Sequence, residues 1–245
     1  MTRHLMNAME SLRRHSEGIG QQVIHVLEEL QKMFQRPERQ GIKTINRMSE
    51  HIHAEEVKLG EACLKIQALF QPTGQALRAL TAYMKCSASF ERMAARAQNI
   101  SYLMRDLKTR QGYQFPSVAF EMARRISHLA SRSVQALTEE DLIEAKAVCL
   151  GDPMMAEIKK LVEHECLSGL EDADLPFPEK VKVVRVILEY EFIEEILRRI
   201  ASDTVYLVNG EVMRPQAEGM AVPFKELDEL PEVHEISLKN LGKEL

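Results

Sequence analysis

Nine residues near the start of the chain advance in alternating steps of four and three: Leu5, Met9, Leu12, Ser16, Ile19, Val23, Val26, Leu30 and Met33. Strands alternate every two residues, so this spacing is the seam of an amphipathic helix in a bundle. Gln35, Arg36 and Pro37 end that helix or begin a short turn. A second seam follows: Ile42, Ile45, Ser49, Ile52, Glu56, Leu59, Cys63, Ile66 and Phe70. Two of its members, Ser49 and Glu56, are polar. A buried carboxylate is expensive unless paired, so Glu56 needs a partner such as Arg78 or Arg92, or a seam that opens to water.

Gln71-Pro72 punctuates, with Pro suited to a first helical turn, and a third helix runs to about Leu107. Thr109–Pro116, containing Gly112, is the expected linker. A fourth helix spans roughly Ser117–Leu137. Thr138–Asp141 supplies an N-cap and an acidic first turn for the fifth. Gly151-Asp152-Pro153 interrupts the fifth helix with a stop, a cap and a restart. It resumes to about Leu167. The loop from Gly169 to Pro178 is acidic and contains proline. A sixth helix then runs to about Val208, closed by Gly210.

The third and sixth helices repeat each other at an offset of 100 residues. Tyr83, Cys86, Phe90, Met93, Ala97, Ile100, Met104 and Leu107 map onto Val183, Val186, Tyr190, Ile193, Leu197, Ile200, Thr204 and Leu207, and Glu91 maps onto Glu191. The expected fold is all-α: two tandem three-helix bundles of long antiparallel helices, residues 1–108 and 114–210, then an irregular acidic tail over 211–245. Phe224, Leu227 and Leu230 could give the tail a short docking face.

Composition agrees. Aromatics are 5% and Gly and Pro number 11 and 9, which disfavours turn-rich β folds. The net charge of −5 gives no basic footprint for nucleic acid. No run approaches the roughly 20 apolar residues of a membrane span, and Met1–Glu10 lacks the apolar core of a signal peptide. Cys63, Cys86, Cys149 and Cys166 are widely spaced and read as buried thiols of a reducing cytoplasm. His51, His53, Glu55 and Glu56 are dense, but Glu50–His53 is the one E-x-x-H, and a di-iron centre needs two. No phosphate-loop, dinucleotide, zinc-protease or nucleophile-elbow motif occurs.

Several of these pieces resemble one family. Gly60-Glu61-Ala62-Cys63-Leu64, Gln71-Pro72, Leu77-Arg78, Glu91-Arg92 and Asn99-Ile100 look like the first half of a PhoU domain. Glu191–Glu195, Ile200 and Tyr206–Gly210 are similar to the second half. The resemblance covers roughly residues 10–212. It implies a cytoplasmic, often dimeric two-bundle protein that is not an enzyme. Such proteins restrain phosphate-starvation signalling by contacting a sensor histidine kinase and the ATPase of the phosphate transporter.

The resemblance also implies a divalent or iron-type metal ion held by paired carboxylates. Acids at i and i+4 share a helix face and repel until a cation joins them. In the second repeat Glu191 and Glu195 keep the pair and Asp152 is retained, while Ala156 replaces an acid. In the first repeat Glu91 and Glu56 remain, with Ala95 and Ser49 at the other positions. Competing roles are plain: Arg198 and Arg199 follow Glu194 and Glu195 at i+4 as surface ion pairs, and Asp152 before Pro153 is a good N-cap. The expected function is regulation of phosphate uptake by protein contact. The alternative is a repurposed adaptor or structural bundle without phosphate control.

Overall fold

The structure is a computed structural model that describes residues 2–35, 39–111, 115–172, 176–215 and 221–223. Seven helices carry the described fold: α1 (Arg3–Gln35), α2 (Arg39–Phe70), α3 (Gln75–Gln111), α4 (Ser117–Glu139), α5 (Leu142–Leu150), α6 (Pro153–Asp172) and α7 (Phe177–Asn209). The expected fifth helix is α5 and α6 together, split at Gly151-Asp152-Pro153. Helices α1–α3 pack on one another, and so do α4–α7. The two groups meet where α3 lies along α7 and α1 along α4, and one continuous apolar core joins them.

The periodic stripes are the core. Every member of the α3 stripe and of its copy on α7 is 2% exposed or less, so α3 and α7 form the spine between the groups. On α1, Leu12, Ser16, Ile19, Val23, Val26, Leu30 and Met33 are all buried. Ser49 sits in the α2 seam because its hydroxyl donates to the Ala94 carbonyl of α3 at 3.2 Å. A buried hydroxyl tied to backbone costs far less than a bare one.

The helix ends follow local chemistry. Asp141 caps α5, accepting from the Ile143 and Glu144 amides at 2.9 and 3.1 Å. Gly210 ends α7 in the left-handed region at φ 82°, where a side chain is disfavoured. One local expectation changes: Pro72 lies before α3, not in its first turn. Gln71 and Gly74 both take positive φ, 44° and 59°, so the chain reverses there before α3 starts at Gln75. Gly112 and most of the acidic tail lie outside the described residues.

Within the tail, expected to be mostly extended, the described residues form a short strand pair. Strand β1 (Met213–Pro215) pairs antiparallel with β2 (Ala221–Pro223). Met213 is buried, and the Ser202 hydroxyl of α7 donates to its carbonyl. Phe224, Leu227 and Leu230, the expected docking face, lie outside the described residues.

Gly20 marks a close approach of α1 to α4. A Cβ there would lie 2.8 Å from Val134 Cγ1 and 3.2 Å from Phe90 Cζ. Val134 is β-branched on a helix and cannot swing away. Alanine gains about 1 kcal/mol of helix propensity over glycine, but overpacking costs about 1–3 kcal/mol. Gly20→Ala is therefore expected to lower the denaturant midpoint; a rise would show that α1 and α4 can part freely.

All four cysteines are buried, as expected. Burial pushes the Cys63 and Cys149 thiols up to about 12, and Cys86 higher than its ordinary value of 9.0. The folded chain thus holds protons that the unfolded chain releases near pH 9. These thiols contribute stability that is intact below about pH 9 and lost as pH climbs towards about 12. Urea midpoints measured from pH 8 to 11 should fall above pH 9. The fall should be smaller in Cys63→Ala, measured against its own value at pH 8. An unchanged profile would contradict the burial argument.

Candidate functional site

A polar cleft runs where α2, α3 and α7 meet, in two adjoining parts that share Arg92 and Arg199. The upper part, about 480 Å³, lies between α3 and α7 and is lined by Arg96, Asn99, Glu189, Phe192 and Glu195. The lower part, about 850 Å³, adds His53 and Glu56 of α2, Lys85 and Glu91 of α3, Asp203 of α7, and Met213.

The periodicity explains why charge gathers here. The apolar stripes of α3 and α7 face the core, so their flanking residues line the outer seam between the two helices. Because α3 and α7 run antiparallel, residues far apart in sequence become opposites. Lys85 Nζ meets Asp203 Oδ1 at 3.0 Å. Arg96 Nη1 and Asn99 Nδ2 both donate to the Glu189 carboxylate, each at 2.6 Å. The Arg96 guanidinium also lies 4.3 Å from the Phe192 ring centre, a cation–π contact. Burial raises the Asp203 carboxyl above its ordinary value, and Lys85 opposes that shift.

The predicted ligand residues are only partly gathered. Glu56 and Glu91 both line the lower cleft. Glu56 is half-buried and has no ion-pair partner among the described residues, so its seam opens to water. Glu91 lies 3.6 Å from His53 Nδ1. Lys85 and Arg92, however, occupy the same cleft and supply positive charge where a cation would sit.

In the second repeat, Asp152 caps α6 by accepting from the Met154 amide at 2.9 Å and receives Arg125 Nη1 at 2.9 Å. Lys159 of α6 pairs with Glu194 of α7, which sets the antiparallel register. That register places Asp152 and Glu191 roughly 15 Å apart along the axis, from the helical rise of ~1.5 Å per residue. Glu191 is raised chiefly by burial, with Glu163 and Glu194 adding to the shift and Lys159 opposing it. Glu195 takes Arg199 at 3.2 Å, the expected i+4 surface pair. Among the described residues, no three His, Cys, Asp or Glu side chains gather as a metal would require. Among the described residues, neither donor set fits a metal centre in this arrangement.

Arg198 departs from its expected role. It does not pair with Glu194 on the surface. It is 8% exposed, and its Nε and Nη2 donate to the Cys149 carbonyl at 3.2 and 2.9 Å. It thereby clamps the end of α5 to α7.

Together these features define a class: an all-α protein of two stacked helix groups, with a charged cleft along the helices that join them. Residues 4–104, the α1–α3 half, match the family model of the PhoU domain. A phosphate-specific transport system accessory protein PhoU homolog of Archaeoglobus fulgidus is 22% identical over 182 residues, 74% of this chain and 84% of that protein. Its counterpart in Aquifex aeolicus is 23% identical over 210 residues, covering 84% and 87%. The crystal structure of the phosphate transport system regulatory protein PhoU from Streptococcus pneumoniae superposes with a TM-score of 0.77 at 16% identity, covering 86% of this chain and 99% of that one. PhoU from Pseudomonas aeruginosa gives 0.77 at 18% identity, covering 83% and 98%. Residues 4–104 thus match a PhoU domain, and the chain as a whole shares the fold of the solved PhoU structures.

Among the described residues, no helix is long and apolar enough to cross a membrane.

Proposed function

We propose that this protein is an accessory regulator of phosphate uptake and phosphate-starvation signalling that works by protein contact and not by catalysis. The observation that carries this reading is the PhoU-domain match over residues 4–104. The chain acts in the cytoplasm, as a homodimer, by docking onto the ATPase of a phosphate transporter, a sensor histidine kinase, or both. Docking that favours one partner conformation shifts its equilibrium by the difference in affinity for the two states. Long helices in one continuous core suit that role, because a stiff surface loses little freedom on binding.

Affinity capture from the native host, in high and in low phosphate, tests the partners. Mass spectrometry should find a transporter ATPase or a sensor kinase, with recovery that changes with phosphate. Recovery of neither in both conditions would contradict direct docking and leave a repurposed bundle.

A further inference from the structure

The upper cleft is unusual in its charge. The chain as a whole carries a net −5, yet here Arg92, Arg96 and Arg199 face two carboxylates, Glu189 and Glu195. Arg92 is exposed and donates to the Ser89 hydroxyl at 3.0 Å, not to a carboxylate. Arg199 reaches Glu195 with both side chains more than half exposed, 57% and 60%. Such a pair contributes little and yields readily to a competing carboxylate. Between these arginines the wall is apolar: Ala95, Ile196 and Phe192, the last 44% exposed. A partly exposed aromatic in a cleft lined by guanidiniums suits an acidic segment that also carries an apolar side chain.

The chain contains such a segment close by. Met213, at the start of β1, lines the lower cleft and is tied to Ser202 of α7. Strand β2 pairs back on β1 and ends at Pro223. The next twelve residues read FKELDELPEVHE, with five carboxylates against one lysine, and Phe224, Leu227 and Leu230 interleaved. Extended, they reach about 40 Å at ~3.3 Å per residue. From Ser202 to Glu189, α7 covers about 20 Å at ~1.5 Å per residue. Reach and charge both suffice.

We propose that residues 224–235 of this same chain seat in the α3–α7 cleft. Their carboxylates meet Arg92 and Arg199, and one apolar side chain rests on Phe192. The inference does not rest on the phosphate-regulator reading.

Disulfide trapping in the full-length chain tests it. Ala95 is exposed in the centre of the cleft, and Leu64 is exposed outside it. Leu227→Cys is combined with Ala95→Cys in one variant and with Leu64→Cys in another. The four native thiols are buried and react slowly. Mild oxidation of mixed isotope-labelled and unlabelled protein is read by mass spectrometry. The expected result is a bond within one chain that forms at least about tenfold faster at Ala95, the mark of a raised effective concentration. Adding Arg92→Ser and Arg199→Ser should slow closure several-fold, with helical content by circular dichroism unchanged. Equal rates at the two positions, or indifference to both arginines, would overturn the proposal. Bonds formed only between chains would assign the cleft to a second copy and overturn it equally.

Discussion

Phe90→Ala is expected to destabilise the protein by about 3–5 kcal/mol. Phe90 is fully buried on α3, at the middle of the apolar stripe. Its ring tip and Val134 of α4 both come within 3.2 Å of where a Cβ on Gly20 of α1 would stand. Helices of both groups therefore meet on one side chain. Truncation leaves a cavity that stiff neighbours such as Val134 cannot close. Urea unfolding, fitted with an unchanged slope, measures the loss. A cost below about 1 kcal/mol would show that the two groups do not share the core described here.

Arg198→Ala and Arg199→Ala should differ sharply, although they are neighbours. The buried Arg198 side chain forks onto the Cys149 carbonyl at the end of α5, where a helix presents unpaired acceptors and negative partial charge. Its guanidinium also lies against Gly151: a Cβ there would stand 3.6 Å from Arg198 Cζ. Alanine removes a charge-assisted fork and opens a cavity, an expected loss of about 2–4 kcal/mol. Arg198→Lys keeps the charge but not the planar fork, so it should fall between alanine and wild type. Among the described residues Arg199 pairs with the exposed Glu195, and its alanine variant should stay within about 0.5 kcal/mol of wild type. Equal losses at the two positions would contradict the clamp.

The same two arginines show where sequence reading stops. The i+4 rule placed both on one solvated face. It holds for Glu195–Arg199, but Glu194 and Arg198 lie on the flank that turns inward. Glu194 pairs with Lys159 of α6 and Arg198 serves a backbone carbonyl. Helical period was enough to find the two apolar stripes, because burial of a stripe follows from its own spacing. Caps at Asp152 and Gly210 were legible because their chemistry is local; Thr138, the expected start of the fifth helix, instead ends α4 with its hydroxyl on the Val134 carbonyl, and the cap is Asp141.

The cleft was not legible in the same way. Lys85 and Asp203 stand 118 residues apart, and Arg96 and Glu189 stand 93 apart. Only the antiparallel register of α3 on α7 makes them neighbours, and no short window contains it. The candidate ligands failed to gather for a related reason. The family resemblance put Glu191 and Asp152 in one candidate site, but the α6–α7 register at the Lys159–Glu194 pair holds them apart. Glu56 and Glu91 do reach one cleft, together with cations that composition alone could not place there.

The most direct test of the regulatory role is phosphate uptake in the native host with this gene deleted, in phosphate-replete medium. Uptake and a phosphate-starvation reporter are expected to rise above wild type, and a wild-type copy to restore both. Unchanged uptake and an unchanged reporter at every phosphate level would contradict it, and the protein would then be a PhoU-type fold serving another purpose.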